Sequence, residues 1–159
     1  MLILDAFWLA IKFFCCIFIV DAYLYWVHRL MHAWTALDKF HQIHHAEYKY
    51  KFHWVEWAIN GIPTVLFVYW AIGLYPALVG YAWSVFESAR GHGHFLWIKV
   101  PRGYYKAIEK VGIKYPGNKY HKRHHLEQDC NYAQFLRHWD KICGTQRLKD
   151  IPLRPGVQL

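Results

Sequence analysis

The chain alternates long apolar stretches with polar, histidine-bearing ones. Leu2 to Val20 is almost wholly apolar, interrupted by Asp5 and Lys12. About 20 helical residues cross the hydrocarbon core of a bilayer, so this stretch predicts one membrane helix. Lys12 is costly at mid-membrane unless it snorkels or faces protein. A signal peptide would carry its positive charge ahead of the apolar core and a small-residue cleavage site after it. Here the basic residue lies mid-run, and Asp21-Ala22-Tyr23-Leu24-Tyr25-Trp26 follows without a break. A second apolar stretch carries no charged residue from Trp57 to Phe86, but Gly73-Leu74-Tyr75-Pro76 interrupts it with turn chemistry. It reads as one long tilted crossing or as a helical hairpin. Each hairpin arm would have roughly 16 residues, short for a full span.

Between and beyond these stretches lie eight histidines in three clusters: His28 and His32; His41, His44 and His45; His121, His124 and His125. The last two share the spacing His-x-x-His-His. Neutral imidazole is the commonest metal ligand and suits iron, zinc, copper or nickel. Clusters at helical spacing therefore predict a polyhistidine site with more than one metal ion. Asp21, Tyr25, His28 and His32 fall on one helical stripe. Metal-bound histidine usually donates its outer N–H to a carboxylate or carbonyl, which makes Asp21 a candidate partner there. The clusters also decide the topology. A single crossing would put His121–His125 across the bilayer from His28–His45, whereas a hairpin returns the chain to the same side. The hairpin is therefore expected, transmembrane or re-entrant. It closes with His92 and His94, and His92 is the expected further ligand, with His94 as an additional candidate. His53 and His138 read as structural.

The predicted fold is an all-α integral membrane protein of one domain, 1–159. It has a helix over 2–33, a histidine segment over 38–50, a hairpin over 54–91, a cytosolic helical cap over 92–149 and an extended tail over 150–159. Composition agrees: the chain is 55% hydrophobic and 19% aromatic, rich for a soluble domain. The net charge of +8 would suit a nucleic-acid binder, but its distribution does not. Lys12 is the only Lys or Arg before Arg29, and none occurs from Phe52 to Ala89. Basic residues gathered near the histidines place that face in the cytosol under the positive-inside rule. No nucleic acid is expected as partner. Cys15, Cys16, Cys130 and Cys143 lack a paired spacing and suit a reducing compartment.

Ligand type narrows the chemistry. Soluble di-iron bundles use paired glutamates, and no such pair occurs here. Catalytic zinc needs three protein ligands, fewer than are offered. A metal-storage tract would be more repetitive, and a pH-sensing or anion-binding patch would not need matched boxes. A non-catalytic membrane metal-binding or transport protein is the alternative, though a transporter would hold its ligands near the bilayer midplane.

At these residues the chain resembles the fatty acid hydroxylase / sterol desaturase superfamily of membrane di-iron oxygenases. The stretch Asp21…Tyr25-Trp26…His28-Arg29…His32 is similar to its first histidine helix, and the two His-x-x-His-His boxes match. Asn131-Tyr132, Trp139-Asp140 and Gly144-Thr145 resemble its closing signature, and Glu87…His92 a segment supplying an additional ligand. The resemblance implies nine ligands: His28, His32, His41, His44, His45, His92, His121, His124 and His125. It also implies supporting roles for Asp21, Tyr25, Asn131, Trp139 and Asp140. It implies two iron ions with O₂ as co-substrate, the dimetal centre itself being the catalyst. Zinc is able to occupy such a site in a preparation. The reaction would be hydroxylation or desaturation of an unactivated C–H bond in a membrane lipid, in the cytoplasmic membrane or endoplasmic reticulum. Electrons would come from a cytochrome b5 or ferredoxin-type donor with its reductase, since the chain has no Gly-x-Gly-x-x-Gly fingerprint. Members often carry a further N-terminal hairpin; a homo-oligomer is one way to supply that wall of the substrate tunnel, and a reduced or inactive member is the alternative.

Overall fold

The computed structural model describes residues 2–46, 54–92, 117–134 and 136–147, with isolated positions at 101, 103, 106, 107 and 110. Among these, regular structure is entirely helical. The elements are α1 (Leu2–Ala33), α2 (Thr35–Ala46), α3 (Trp54–Ile72), α4 (Leu74–Gly91), α5 (Gly117–Leu126) and α6 (His138–Ile142). The expected tail over 150–159 and His94 lie outside the described residues.

Helix α1 has 32 residues, about 48 Å at 1.5 Å per residue, longer than a hydrocarbon core of about 30 Å. Two helical stretches, Leu4–Ala33 and Trp54–Ile72, are long and apolar enough to cross a membrane. Only 22% and 6% of their most apolar windows are buried. The core helix of a soluble protein would be mostly buried. Here Phe7, Trp8, Phe14, Leu66 and Trp70 face outward instead, as helices solvated by lipid do.

Gly73 joins α3 to α4 with φ +106°, a conformation that only glycine adopts without strain. The two helices then run antiparallel: Gly61 of α3 lies against the Tyr81 ring of α4. Pro63 inside α3 has no N–H to give to the carbonyl four residues back, which is Ile59. The Tyr23 hydroxyl donates to that carbonyl instead, over 2.6 Å, and so ties α1 to α3 at the helix's weakest hydrogen-bonding point. Pro76 falls in the first turn of α4, where a missing N–H costs nothing.

The polar end of the bundle is closed by α2, α5, α6 and the described residues that link α5 to α6. Leu24 of α1 packs with Leu136, flanked by Ile17, Val20, Tyr23 and Trp139. Tyr25 packs with Tyr132 and Ala133. These contacts reach α1 from residue 17 onward. The C-terminal segment thus grips the half of α1 that leads to His28 and His32.

Candidate metal centre

Among the described residues, nine histidines converge at the polar end, in two groups. His28, His32, His41, His45 and His124 form one; His44, His92, His121 and His125 form the other. Within each group the ligand nitrogens all lie within 4.8 Å of one another. These are the nine expected from the sequence, drawn from α1, α2, α5 and, in His92, the residue that follows α4.

The two His-x-x-His-His boxes do not each serve one group. In α2, His41 and His45 are one turn apart and share a face, while His44 is turned about 100° from His45. So His41 and His45 enter the five-histidine group and His44 enters the other. In α5 the assignment is reversed: His121 and His125 enter the four-histidine group and His124 crosses to the first. Each box therefore supplies a pair to one group and a single ligand to its neighbour.

The outer nitrogens fix the rings. His28 Nδ1–H donates to the Tyr132 carbonyl at 2.8 Å, His124 Nδ1–H to the Cys130 carbonyl at 2.7 Å, and His92 Nδ1–H to the Ser88 carbonyl at 2.7 Å. His41 Nδ1–H donates to Glu56 Oε1 at 3.0 Å. A carbonyl or carboxylate oxygen only accepts, so the proton sits on Nδ1 and the Nε2 lone pair points inward. In the first group, His41 Nε2 and His124 Nε2 face His32 Nε2 at 3.1 and 3.2 Å. In the second, His92 Nε2 lies 3.1 Å from His44 Nε2 and 2.7 Å from His121 Nε2. Lone pairs gathered this closely repel unless a cation lies among them. His28 Nε2 is moreover buried with no hydrogen-bond partner among the described residues. The donor set fits metal ions: neutral imidazoles, oriented from behind, converging in front.

Electrostatics favours the same form. Burial, and then neighbouring imidazoles, hold His41, His44, His121 and His124 far below the ordinary histidine range. The same causes bring His125 to about 4. All remain neutral, the ligating state, at physiological pH.

The turn after α5 supplies two of the supporting carbonyls. Asn131 has φ +58°, a left-handed conformation that asparagine tolerates. Its flanking residues Cys130 and Tyr132 can thereby offer carbonyls to His124 and His28, which come from different helices. The Asn131 side chain holds the turn in place, donating to Arg147 O at 2.9 Å and accepting from Arg147 N at 2.7 Å. Asp140 accepts the N–H groups of Tyr132 and Ala133, each at 2.9 Å. Asp21 Oδ1 accepts the Leu136 N–H at 3.2 Å, joining α1 to this segment. Tyr25 pairs with Thr145 through their hydroxyls at 2.8 Å, and Trp139 stacks on the Tyr25 ring. His138 stacks on Phe18, away from both groups, and His53 lies outside the described residues.

Sequence reasoning passed over Glu56, the backbone carbonyls and the buried Glu127, which pairs with Arg123 and Arg147. Glu56 carried a signal: it is the only charged residue of α3, and a lone carboxylate in an apolar helix needs a partner.

A cavity of about 90 Å³ lies beside the histidines, between α1, α3 and α4. Met31, Glu56, Asn60, Gly61, Tyr81 and Ser84 form part of its wall, and it reaches His28 and His41 of one group and His44, His92 and His121 of the other. Both groups thus open on one small space at the inner end of the apolar helices.

The sequence signature of the fatty acid hydroxylase family matches residues 13–145, and the chain belongs to that family. It is 30% identical over 153 residues to methylsterol monooxygenase 1-3 of Arabidopsis thaliana, covering 82% of this chain and 46% of the relative. It is 31% identical over 155 residues to very-long-chain aldehyde decarbonylase GL1-10 of Oryza sativa subsp. japonica, covering 82% and 44%. To human lathosterol oxidase it is 23% identical over 135 residues, covering 81% and 42%. The chain spans less than half the length of these curated relatives. No solved structure matches it.

Proposed function

We propose that the chain is a membrane lipid oxygenase holding two iron ions, one in each histidine group, and that it hydroxylates or desaturates an unactivated C–H bond with O₂. The observation that carries this reading is the pair of histidine groups opening on one cavity at the inner end of lipid-facing helices. Iron in such a setting supplies O₂ reduction and hydrogen removal from carbon, which no side chain here performs. The chain's own part is to orient. Tyr132, Cys130 and Ser88 carbonyls hold three imidazoles with Nε2 inward, and α3 and α4 wall the reacting segment of the lipid away from water. At about 90 Å³ the cavity suits the reacting carbon and its neighbours, the rest of the lipid lying among the apolar helices.

The relatives are named for a monooxygenase, an oxidase and a decarbonylase, which supports lipid oxidation as the class of reaction. We assign the active site to the cytosolic face and electron supply to a cytochrome b5 or ferredoxin-type donor with its reductase. The test is purification in detergent, metal analysis, and oxygen uptake with a reductase system and a membrane lipid extract. About two irons per chain and lipid-dependent uptake are expected. A chain that binds metal but consumes no oxygen with any donor would instead be a metal-binding membrane protein.

A further inference from the structure

We infer that Glu56 is a positioning residue for the five-histidine group, acting through His41; this rests on the metal centre proposed above. Glu56 is the only charged residue of α3, whose other residues are apolar or uncharged. Placing a carboxylate there is costly unless it is paired. Its Oε1 lies 3.0 Å from His41 Nδ1, with side-chain exposures of 16% and 2% for Glu56 and His41. The pair joins α3 to α2, two elements otherwise separated in sequence by residues 47–53.

The opposite edge of the same imidazole faces the ligand cluster. His41 Nε2 lies 3.1 Å from the Nε2 atoms of both His32 and His45. The carboxylate therefore fixes which nitrogen carries the proton and where the other one points. It also does what a carbonyl does less strongly: an anion behind an imidazole raises the electron density at its far nitrogen. His28 and His124, in the same group, are held by backbone carbonyls. His41 is thus hydrogen-bonded to a side-chain carboxyl, a closer partner than the Asp38 carboxylate 3.9 Å behind His32, and its contribution to metal affinity depends on one side chain that can be changed. Glu56 also lines the shared cavity, so its own exposure to water is controlled by what fills that space.

The experiment is a Co²⁺ titration of the metal-free, full-length chain in detergent, followed by visible ligand-field absorption and by metal content after dialysis. The wild type should bind two Co²⁺. E56Q keeps the size and an oxygen acceptor but removes the charge, and E56A removes the acceptor. One of the two ions should bind about tenfold more weakly in E56Q and up to about 100-fold more weakly in E56A, with an altered absorption band. The other ion should bind as in the wild type, because His41 belongs to one group alone. E56D, which restores the anion, should recover part of the loss. Wild-type affinity and spectrum in E56Q and E56A would overturn the inference, as would equal weakening of both ions. If E56A does not fold, the near-isosteric E56Q decides the matter. A wild-type chain that takes up no Co²⁺ would overturn the metal centre itself.

Discussion

The Tyr120 hydroxyl donates to Asp140 Oδ2 over 2.8 Å, linking the helix that carries His121, His124 and His125 to the segment that closes over them. Asp140 Oδ2 also receives the Ala133 N–H, while Oδ1 receives the Tyr132 N–H at 2.9 Å and the Thr145 hydroxyl at 2.7 Å. Four donors thus meet two acceptor oxygens on a fully buried side chain. D140N replaces one oxygen with an NH₂ group and sets donor against donor whichever way the amide turns. We expect a loss of about 2–3 kcal/mol of stability, of the order found for buried polar groups left unsatisfied. Unfolding of the detergent-solubilised protein checks it; a D140N midpoint equal to wild type contradicts the keystone role.

The crossing of the two boxes makes a prediction that box-by-box thinking would miss. His124 and His125 are adjacent in sequence yet belong to different groups, as do His44 and His45. H124A should empty the five-histidine site and leave the other metal in place; H125A should do the reverse. Metal analysis should therefore give about one ion per chain for each single variant and none for H124A/H125A. Loss of both ions from either single variant would show that the two groups bind as a unit.

Much of the site was legible because imidazoles are scarce, chemically specific and spaced by the helix. Clusters lying on either side of one long apolar stretch have one way to meet, and Gly73 marked where the chain could turn back. The partition into five and four was harder, because it depends on the rotation of α2 against α5 and not on either sequence alone. The backs of the ligands were not legible at all where a carbonyl provides them: any residue at 88, 130 or 132 offers the same oxygen. Glu56 was readable in principle, as an isolated charge at the edge of an apolar run. Its partner was not, since nothing local to α3 names His41. Asn131, Trp139 and Asp140 entered by resemblance; the structure supplies what they hold.

Cys130 should be chemically silent in the folded protein. Burial, and then the Glu127 carboxylate, push its thiol up to about 12, and its sulfur lies 3.1 Å from the Glu127 carbonyl. The thiolate is the nucleophile, so at pH 8 the reactive fraction is of order one in ten thousand even before access is considered. Maleimide treatment of the native protein followed by peptide mass spectrometry should leave Cys130 unmodified, and denaturation should expose it. Rapid native labelling at Cys130 would mean that the turn bearing the His124 and His28 acceptors opens readily.

Gly61 lines the cavity where α3 meets α4. It is buried in α3, and a Cβ placed there would lie 3.3 Å from the Tyr81 ring and 3.4 Å from Trp57 Nε1. Contacts of that length ask the neighbours to move by a few tenths of an ångström, so G61A should fold. Alanine's better helix propensity, worth up to about 1 kcal/mol, offsets part of the strain. Valine adds two branches with a restricted rotamer on a helix and has nowhere to put both. G61V must either push α4 away or fill the space that leads to His41 and His92. Stability and access then respond differently. G61A should keep the wild-type melting behaviour and the wild-type metal content, with turnover reduced selectively for the bulkier lipids. G61V should retain metal, because none of the nine histidines moves with Gly61, yet lose most lipid-dependent oxygen uptake. Comparing oxygen uptake with slender acyl and bulky ring-bearing lipids across wild type, G61A and G61V makes the reading quantitative. A G61V protein that folds, holds its metal and turns over both lipid classes like wild type would move the substrate path to another face of the bundle.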